Sequence, residues 1–338
     1  MPTDRGWTAA FAAYGQPSVR SMLFLGFSAG LPFLLVFSTL SAWLTQAGIA
    51  RSTIGLLSWV GLAYSIKFFW APVVDRLPIP GLTRWLGRRR SWMLLAQTGL
   101  IAGLCLIAMG DPAANLSVIV WAALLVAFSS ATQDIAIDAW RIEAAEIEFQ
   151  GAMAAAYQLG YRIALLAAGA GALVMASRFD WSVAYLAMAA LVGIGVLTTL
   201  LISEPAAQLD RAALANEARV SAFLDRRAHW PGPLRSAGAW LTGAVVCPFL
   251  DFFSRNGLRT ALLMLAFIGA FRLPDITMGV MANPFYLDMG YTLEQIAAVA
   301  KVYGVIMTIA GAALGGLAVF RLGLFASLMI GGVLAMLT

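Results

Sequence analysis

An all-α polytopic membrane protein is the fold class this sequence predicts, and three observations predict it. Hydrophobic residues fill 61% of the 338 positions, while Asp, Glu, Lys and Arg together fill only 12%, about half the charge of a soluble domain. The few charges fence off long neutral runs: 30 residues between Arg20 and Arg51, 20 between Arg90 and Asp111, 22 between Asp111 and Asp134, and 23 between Asp180 and Glu204. Each run meets the length of about 20 apolar residues that a helix needs to cross a bilayer. The cations, finally, are lopsided about those runs. Of the 22 Lys and Arg, 16 fall on one side, only Arg51 and Arg178 on the other, and four inside the runs. Cation-rich loops stay in the cytoplasm, so the N-terminus is expected there. The net charge of +5 is then a topology signal and not a nucleic-acid footprint.

Taken in order, the apolar runs predict helices over 21–46, 52–74, 91–110, 116–140, 151–176, 181–203, 260–287 and 292–320, with a partial ninth from 322. The first run is too long for a cleavable signal, whose apolar core spans about 7 to 15 residues. Between 204 and 259 the composition turns polar, with Pro205, Pro231 and Pro233 and charges of both signs. Three segments are therefore expected: a six-helix bundle over 1–203, a central cytoplasmic connection over 204–259, and the first helices of a second bundle over 260–338. A shift of 242 residues superposes Leu273-Pro274 on Leu31-Pro32, Gly290 on Gly48 and Ile296 on Ile54 without a gap, as a parallel repeat of two halves requires. On that repeat the second half would end at about 442, so the second bundle is expected to be incomplete.

Several motifs are better explained by membrane packing than by chemistry. Gly26-Phe27-Ser28-Ala29-Gly30 has the spacing of a nucleophile elbow, but that device needs a strand-turn-helix bend and a histidine base beside the serine. Ser28 lies inside a neutral helix, and the sole histidine, His229, lies in the polar connection. The same glycines, like Gly99/Gly103 and Gly311/Gly315, make small-residue packing faces. One histidine and two distant cysteines, Cys105 and Cys247, supply no zinc or redox site, so neither enzyme activity nor a metal or cofactor is expected. Arg88-Arg89-Arg90 precedes a span and reads as a topology anchor. Asn115-Leu116-Ser117 sits against a helix start, which makes it a poor glycosylation acceptor.

The informative residues are ionisable groups within apolar helices: Lys67, Asp134, Asp138, Arg162, Arg272, Asp275 and Lys301. Such a charge costs about 2.5–3.5 kcal/mol near the bilayer centre, so it normally faces a cavity or a partner. Arg162 and Arg272 lie roughly 17 Å into their helices, and Lys67 roughly 12 Å from Asp75, at 1.5 Å per residue. Arg272 and Asp275 are spaced to pair, as are Asp138 and Arg141. Asp134 and Asp138 are a helical turn apart, and two neighbouring carboxylates oppose joint ionisation, which makes Asp134 the first candidate proton carrier. Four cations against three acids suit an anionic solute. Trp59, Tyr64, Trp70, Tyr157 and Tyr161 supply rings that can stack on sugar faces, although core packing or interfacial belts explain most such rings.

Asp75-Arg76 followed by Gly87-Arg88-Arg89 resembles the loop signature of the major facilitator superfamily, with Ala71 in place of the usual first glycine and a longer loop over 78–86. Gly26-Phe27-Ser28-Ala29-Gly30-Leu31-Pro32, Lys67-Phe68-Phe69-Trp70-Ala71-Pro72, Gln133-Asp134-Ile135-Ala136-Ile137-Asp138-Ala139-Trp140, Leu159-Gly160-Tyr161-Arg162 and Asp251-Phe252-Phe253 resemble the AmpG muropeptide permeases within it. The resemblance implies two six-helix bundles and proton-driven import of anhydro-muropeptides, which are anionic glycopeptides, across the bacterial inner membrane. It implies solute contacts at Lys67, Gln133, Tyr161, Arg162, Arg272 and Lys301, proton coupling at Asp134, Asp138 and Asp275, and a conformational gate at Asp75, Arg76, Arg88 and Arg89. The expected partners are the solute, protons and the lipid bilayer, with no nucleic acid, and the carrier is expected to be a monomer. An acetyl-coenzyme A carrier of the same family and a half-transporter that binds without transporting are the alternatives.

Overall fold

The computed structural model describes residues 14–146, 149–205, 220–222, 224–227, 229–304, 306–307 and 329–334. The first span is two helices, α1 (Pro17–Val36) and α2 (Ser38–Gln46). The second is segmented into α3 (Arg51–Leu57), a 3-10 turn, α4 (Leu62–Ser65), a second 3-10 turn over Lys67–Phe69, and α5 (Ala71–Arg76). A short α6 (Leu82–Leu86) leads to α7 (Arg88–Met109), followed by α8 (Leu116–Ala144). The fifth span joins α9 (Gln150–Leu166) to α10 (Ala172–Arg178) through a π-helical turn at 167–171, and α11 (Trp181–Leu201) is the sixth. Then come α12 (Gly232–Leu241), a π turn, α13 (Cys247–Asn256), α14 (Leu258–Asp288) and α15 (Leu293–Ile296), the last continuing as a π helix to Tyr303. Among the described residues six helical stretches, each made of one or several of these helices, are long and apolar enough to cross a membrane, and they match the first six expected spans.

Small residues decide how the spans pack. The α1–α9 contact is the closest, because Gly26 and Gly30 of α1 lie on the backbone of Tyr157 and Tyr161, while Gly160 of α9 lies on Leu23 and Phe27. A Cβ at Gly26 or Gly160 would overlap backbone carbonyl oxygens, so the Gly-x-x-x-Gly face is a packing surface, as its spacing suggests. Gly99 and Gly103 of α7 meet the side chains of Ser129 and Val126 of α8. Gly311 and Gly315 lie outside the described residues.

The breaks have tertiary uses. Pro32 lacks an N–H and loosens the turn before it, while the helix parts five residues later at Phe37 (φ −113°, ψ −100°). Carbonyls near the break then find side-chain donors: Tyr185 Oη donates to Leu35 O at 2.8 Å, and Asn283 Nδ2 to Ser38 O. The π turn exposes Ala168 O, which accepts from Thr39 Oγ1 at 2.8 Å. The 204–259 stretch, expected as a polar connection, contains the helices α12 and α13.

The 242-residue repeat reappears as geometry. Gly48 (φ 77°) ends α2, with Ile49 N bonded to Leu44 O and Gly48 N to Thr45 O. Gly290 (φ 86°) ends α14, with Tyr291 N bonded to Tyr286 O and Gly290 N to Leu287 O. Both are the same glycine-terminated cap, shifted by the same interval, and Ile54 and Ile296 each bond back four residues just after it.

Candidate functional site: a charged cleft among the second, fourth and fifth spans

Helical geometry puts Tyr64 and Lys67 of the second span opposite Asp134 and Asp138 of α8, with Tyr157 and Tyr161 of α9 alongside. Lys67 Nζ and Asp134 Oδ2 form an ion pair at 3.8 Å, with the side chains 38% and 20% exposed. The 3-10 turn over 67–69 carries the lysine to this position. One carboxylate oxygen of Asp134 is buried with no hydrogen-bond partner among the described residues, and the Tyr64 hydroxyl faces the Ser130 side chain. A part-exposed pair with unfilled hydrogen-bonding capacity is an unfinished polar site within an apolar span.

Aromatic rings wall the cleft. Tyr157 and Tyr161 have centroids 6.2 Å apart, and Tyr64 stands 6.2 Å from Phe33 and 6.1 Å from Phe37. Trp70 lies 4.6 Å from Phe128 and donates Nε1 to Thr132 Oγ1 at 3.1 Å. Asp138 pairs with Arg141 at 3.5 Å on the next turn, so Asp134 takes its cation from the second span and Asp138 from its own helix. Arg162 lies on α9 next to Tyr161, half-buried and with no ion pair among the described residues.

Gln133 does not line this cleft, contrary to the sequence expectation. It is fully buried against α1, where Ser28 Oγ donates to its Oε1 at 3.0 Å. Successive helical residues point about 100° apart, so Gln133 and Asp134 cannot share a face. Ser28 is thereby occupied in packing and has no base beside it. The side chains of Arg76, Arg272, Asp275 and Lys301 lie outside those described.

A second cluster sits at the arginine-rich end. Arg89, only 6% exposed, donates to both oxygens of Glu143, at 3.0 Å and 2.5 Å, and to Asp75 at 2.6 Å. Arg88 stands 3.9 Å from Glu143. Glu204 receives the backbone N–H groups of Arg89 and Arg90 at 2.7 and 3.1 Å, capping the positive end of α7. Sequence reasoning found Asp75, Arg88 and Arg89 but not Glu143 or Glu204; the only signal was that each is an acid at the edge of an apolar run. Among the described residues no three metal-binding side chains converge.

Multi-pass helices packed through glycines, with an ion-paired aromatic cleft between them, define the class of membrane solute carrier. A family model described as Major Facilitator Superfamily matches residues 22–338. AmpG 4 of Rickettsia felis, named as a transporter, is 33% identical over 316 residues, covering 93% of this chain and 70% of its own length. The anhydromuropeptide permease of Escherichia coli K12 is 35% identical over 323 residues, 95% of this chain and 59% of the permease. An AmpG 3 protein of Rickettsia prowazekii, also named as a transporter, is 29% identical over 326 residues, 96% of this chain and 73% of its own length. The chain belongs to the Major Facilitator Superfamily as an AmpG-like permease. It spans about six- to seven-tenths of the length of these relatives.

Proposed function

We propose that the chain carries the first bundle and the opening helices of the second bundle of a proton-coupled importer of anhydro-muropeptides in the bacterial inner membrane. The observation that carries this is the Lys67–Asp134 pair, a cation and an acid held inside apolar spans beside stackable rings. The name of the Escherichia coli relative supports the solute class. The excess of Arg at the end bearing Arg88–Arg90 supports a cytoplasmic assignment for that end.

The coupling follows from charge balance. Lys67 can neutralise Asp134 or a carboxylate of the solute, but not both fully. When the anion takes the lysine, the aspartate is left in an apolar wall, where an uncompensated charge is costly, and a proton neutralises it. Solute and proton then enter together. The saccharide rings of a muropeptide would lie on Tyr157 and Tyr161. The Arg89–Asp75–Glu143 cluster holds the second, third and fourth spans together at the cytoplasmic end.

Proteoliposomes containing the complete two-bundle carrier test this reading. Labelled anhydro-muropeptide should accumulate inside when an inward proton gradient is imposed. Cleaved product would point to an enzyme instead, and binding without accumulation to a non-transporting scaffold.

A further inference from the structure

An open groove of about 820 Å³ lies at the end that bears the arginine cluster, between the start of α1, the end of α8 and the last two turns of α11. None of its lining residues belongs to the Lys67–Asp134 cleft. Its walls divide by polarity. Toward the membrane interior stand Phe24, Leu197 and Leu201, 47%, 59% and 76% exposed, all within neutral spans where the surrounding medium is hydrocarbon. Where α1 begins and α11 ends, the depth at which a crossing helix meets the headgroups, the lining turns polar with Ser18, Arg20, Glu143 and Glu204. The charges left uncommitted there are one of each sign. Arg20 is exposed and has no ion pair among the described residues. It closes the first turn of α1, which carries no acid and no side-chain cap, so the positive helix end adds to its field. Glu143 is occupied by Arg89. Glu204 accepts one backbone N–H at each oxygen, from Arg89 and Arg90, and meets no side-chain cation among the described residues. A carboxylate has about four lone-pair sites, so about two stay open.

We propose that the groove is a binding site for one phospholipid with a zwitterionic, primary-amine headgroup of the phosphatidylethanolamine kind. The phosphate lies on Arg20, the Ser18 hydroxyl and the α1 N-terminus, the ammonium donates to Glu204, and one acyl chain runs along Phe24, Leu197 and Leu201. The charge pattern selects this headgroup over its alternatives. A purely anionic head gains Arg20 but has nothing to offer Glu204, and a quaternary choline head brings a cation that cannot donate a hydrogen bond to the carboxylate. A primary ammonium brings both charge and donors. Seated in this way, the lipid bridges α1 and α11 and, through Glu204, reaches the cap of α7.

Native mass spectrometry of the complete two-bundle carrier, purified in detergent and stripped of lipid, tests the site with no solute present, so its outcome is independent of the transport reading. Dioleoyl phosphatidylethanolamine, phosphatidylcholine and phosphatidylglycerol are titrated separately. One molecule of the ethanolamine lipid should be held about tenfold more tightly than either of the others, the worth of one charge-assisted hydrogen bond. Glu204→Gln should erase that preference. Arg20→Gln should weaken all three lipids about five- to tenfold, and Leu197→Trp, which fills the apolar part of the groove, should weaken all three as well. If Glu204→Gln fails to fold, Arg20→Gln and Leu197→Trp still decide, because both positions are exposed. No retained lipid, equal retention of the three, or a preference for phosphatidylglycerol would overturn the proposal. So would an ethanolamine preference that survives Glu204→Gln, or ethanolamine lipid binding untouched by both Arg20→Gln and Leu197→Trp.

Discussion

Replacing Lys67 with methionine strands the Asp134 carboxylate in the wall of the cleft. At 3.8 Å, the attraction between the two charges is about 4 kcal/mol at an effective dielectric of about 20. That value is an upper bound here. The lysine side chain is 38% exposed, so water screens the pair, and the separation exceeds a hydrogen bond. A net coupling of about 1–2 kcal/mol remains. Lys67→Met, Asp134→Asn and the double variant, unfolded reversibly by SDS in mixed micelles, form a cycle that isolates it. Lys67→Met should cost more than Asp134→Asn, because a stranded lysine can reach water along its flexible stem whereas the more buried aspartate cannot. The double variant should be more stable than the sum of the singles predicts by about 1–2 kcal/mol. Additivity within about 0.3 kcal/mol would refute the pairing.

Gly160→Ala should destabilise the protein by about 1–3 kcal/mol despite alanine's better helix propensity, because its Cβ meets the Leu23 and Phe27 backbones, which cannot rotate away; thermal unfolding in detergent reads the loss. Arg89→Gln leaves Asp75 and Glu143 without their shared cation and should cost about 2–4 kcal/mol, and Arg89→Lys should recover only part of it, since a lysine cannot bridge two carboxylates as the guanidinium does. Reporter fusions at Ser221 and Pro112 should be active only on the cytoplasmic and the external side respectively, and reversal of both would overturn the orientation.

Much of the fold is legible because hydrophobic length and charge placement are local signals. The neutral runs mark the spans, and Gly26/Gly30 and the Gly48–Gly290 interval mark a packing face and two helix ends. What stayed hidden is nonlocal. Nothing near Phe37 announces a break, since Pro32 is five residues earlier and the carbonyls near it are used by Tyr185 and Asn283 from distant helices. The segmentation of the second span is likewise invisible in a hydropathy run. Within the cleft, Lys67 and Asp134 are legible as misplaced charges, but their mutual pairing across 67 residues is not. Gln133 misled because a sequence motif does not show that neighbouring helical residues face different ways. Glu143 and Glu204 pair with Arg89 across 54 and 115 residues, beyond any periodicity.

On the proposed coupling, Asp134 exchanges its lysine partner for a proton when solute binds. Asp134→Asn, a fixed neutral mimic of the protonated acid, tests it in proteoliposomes that hold the complete two-bundle carrier and are loaded with anhydro-muropeptide. The variant should exchange labelled for unlabelled solute across the membrane at a rate near that of the parent chain, yet fail to concentrate it when an inward proton gradient is imposed. Accumulation by Asp134→Asn in response to the gradient would contradict the account and move the coupling group elsewhere in the cleft.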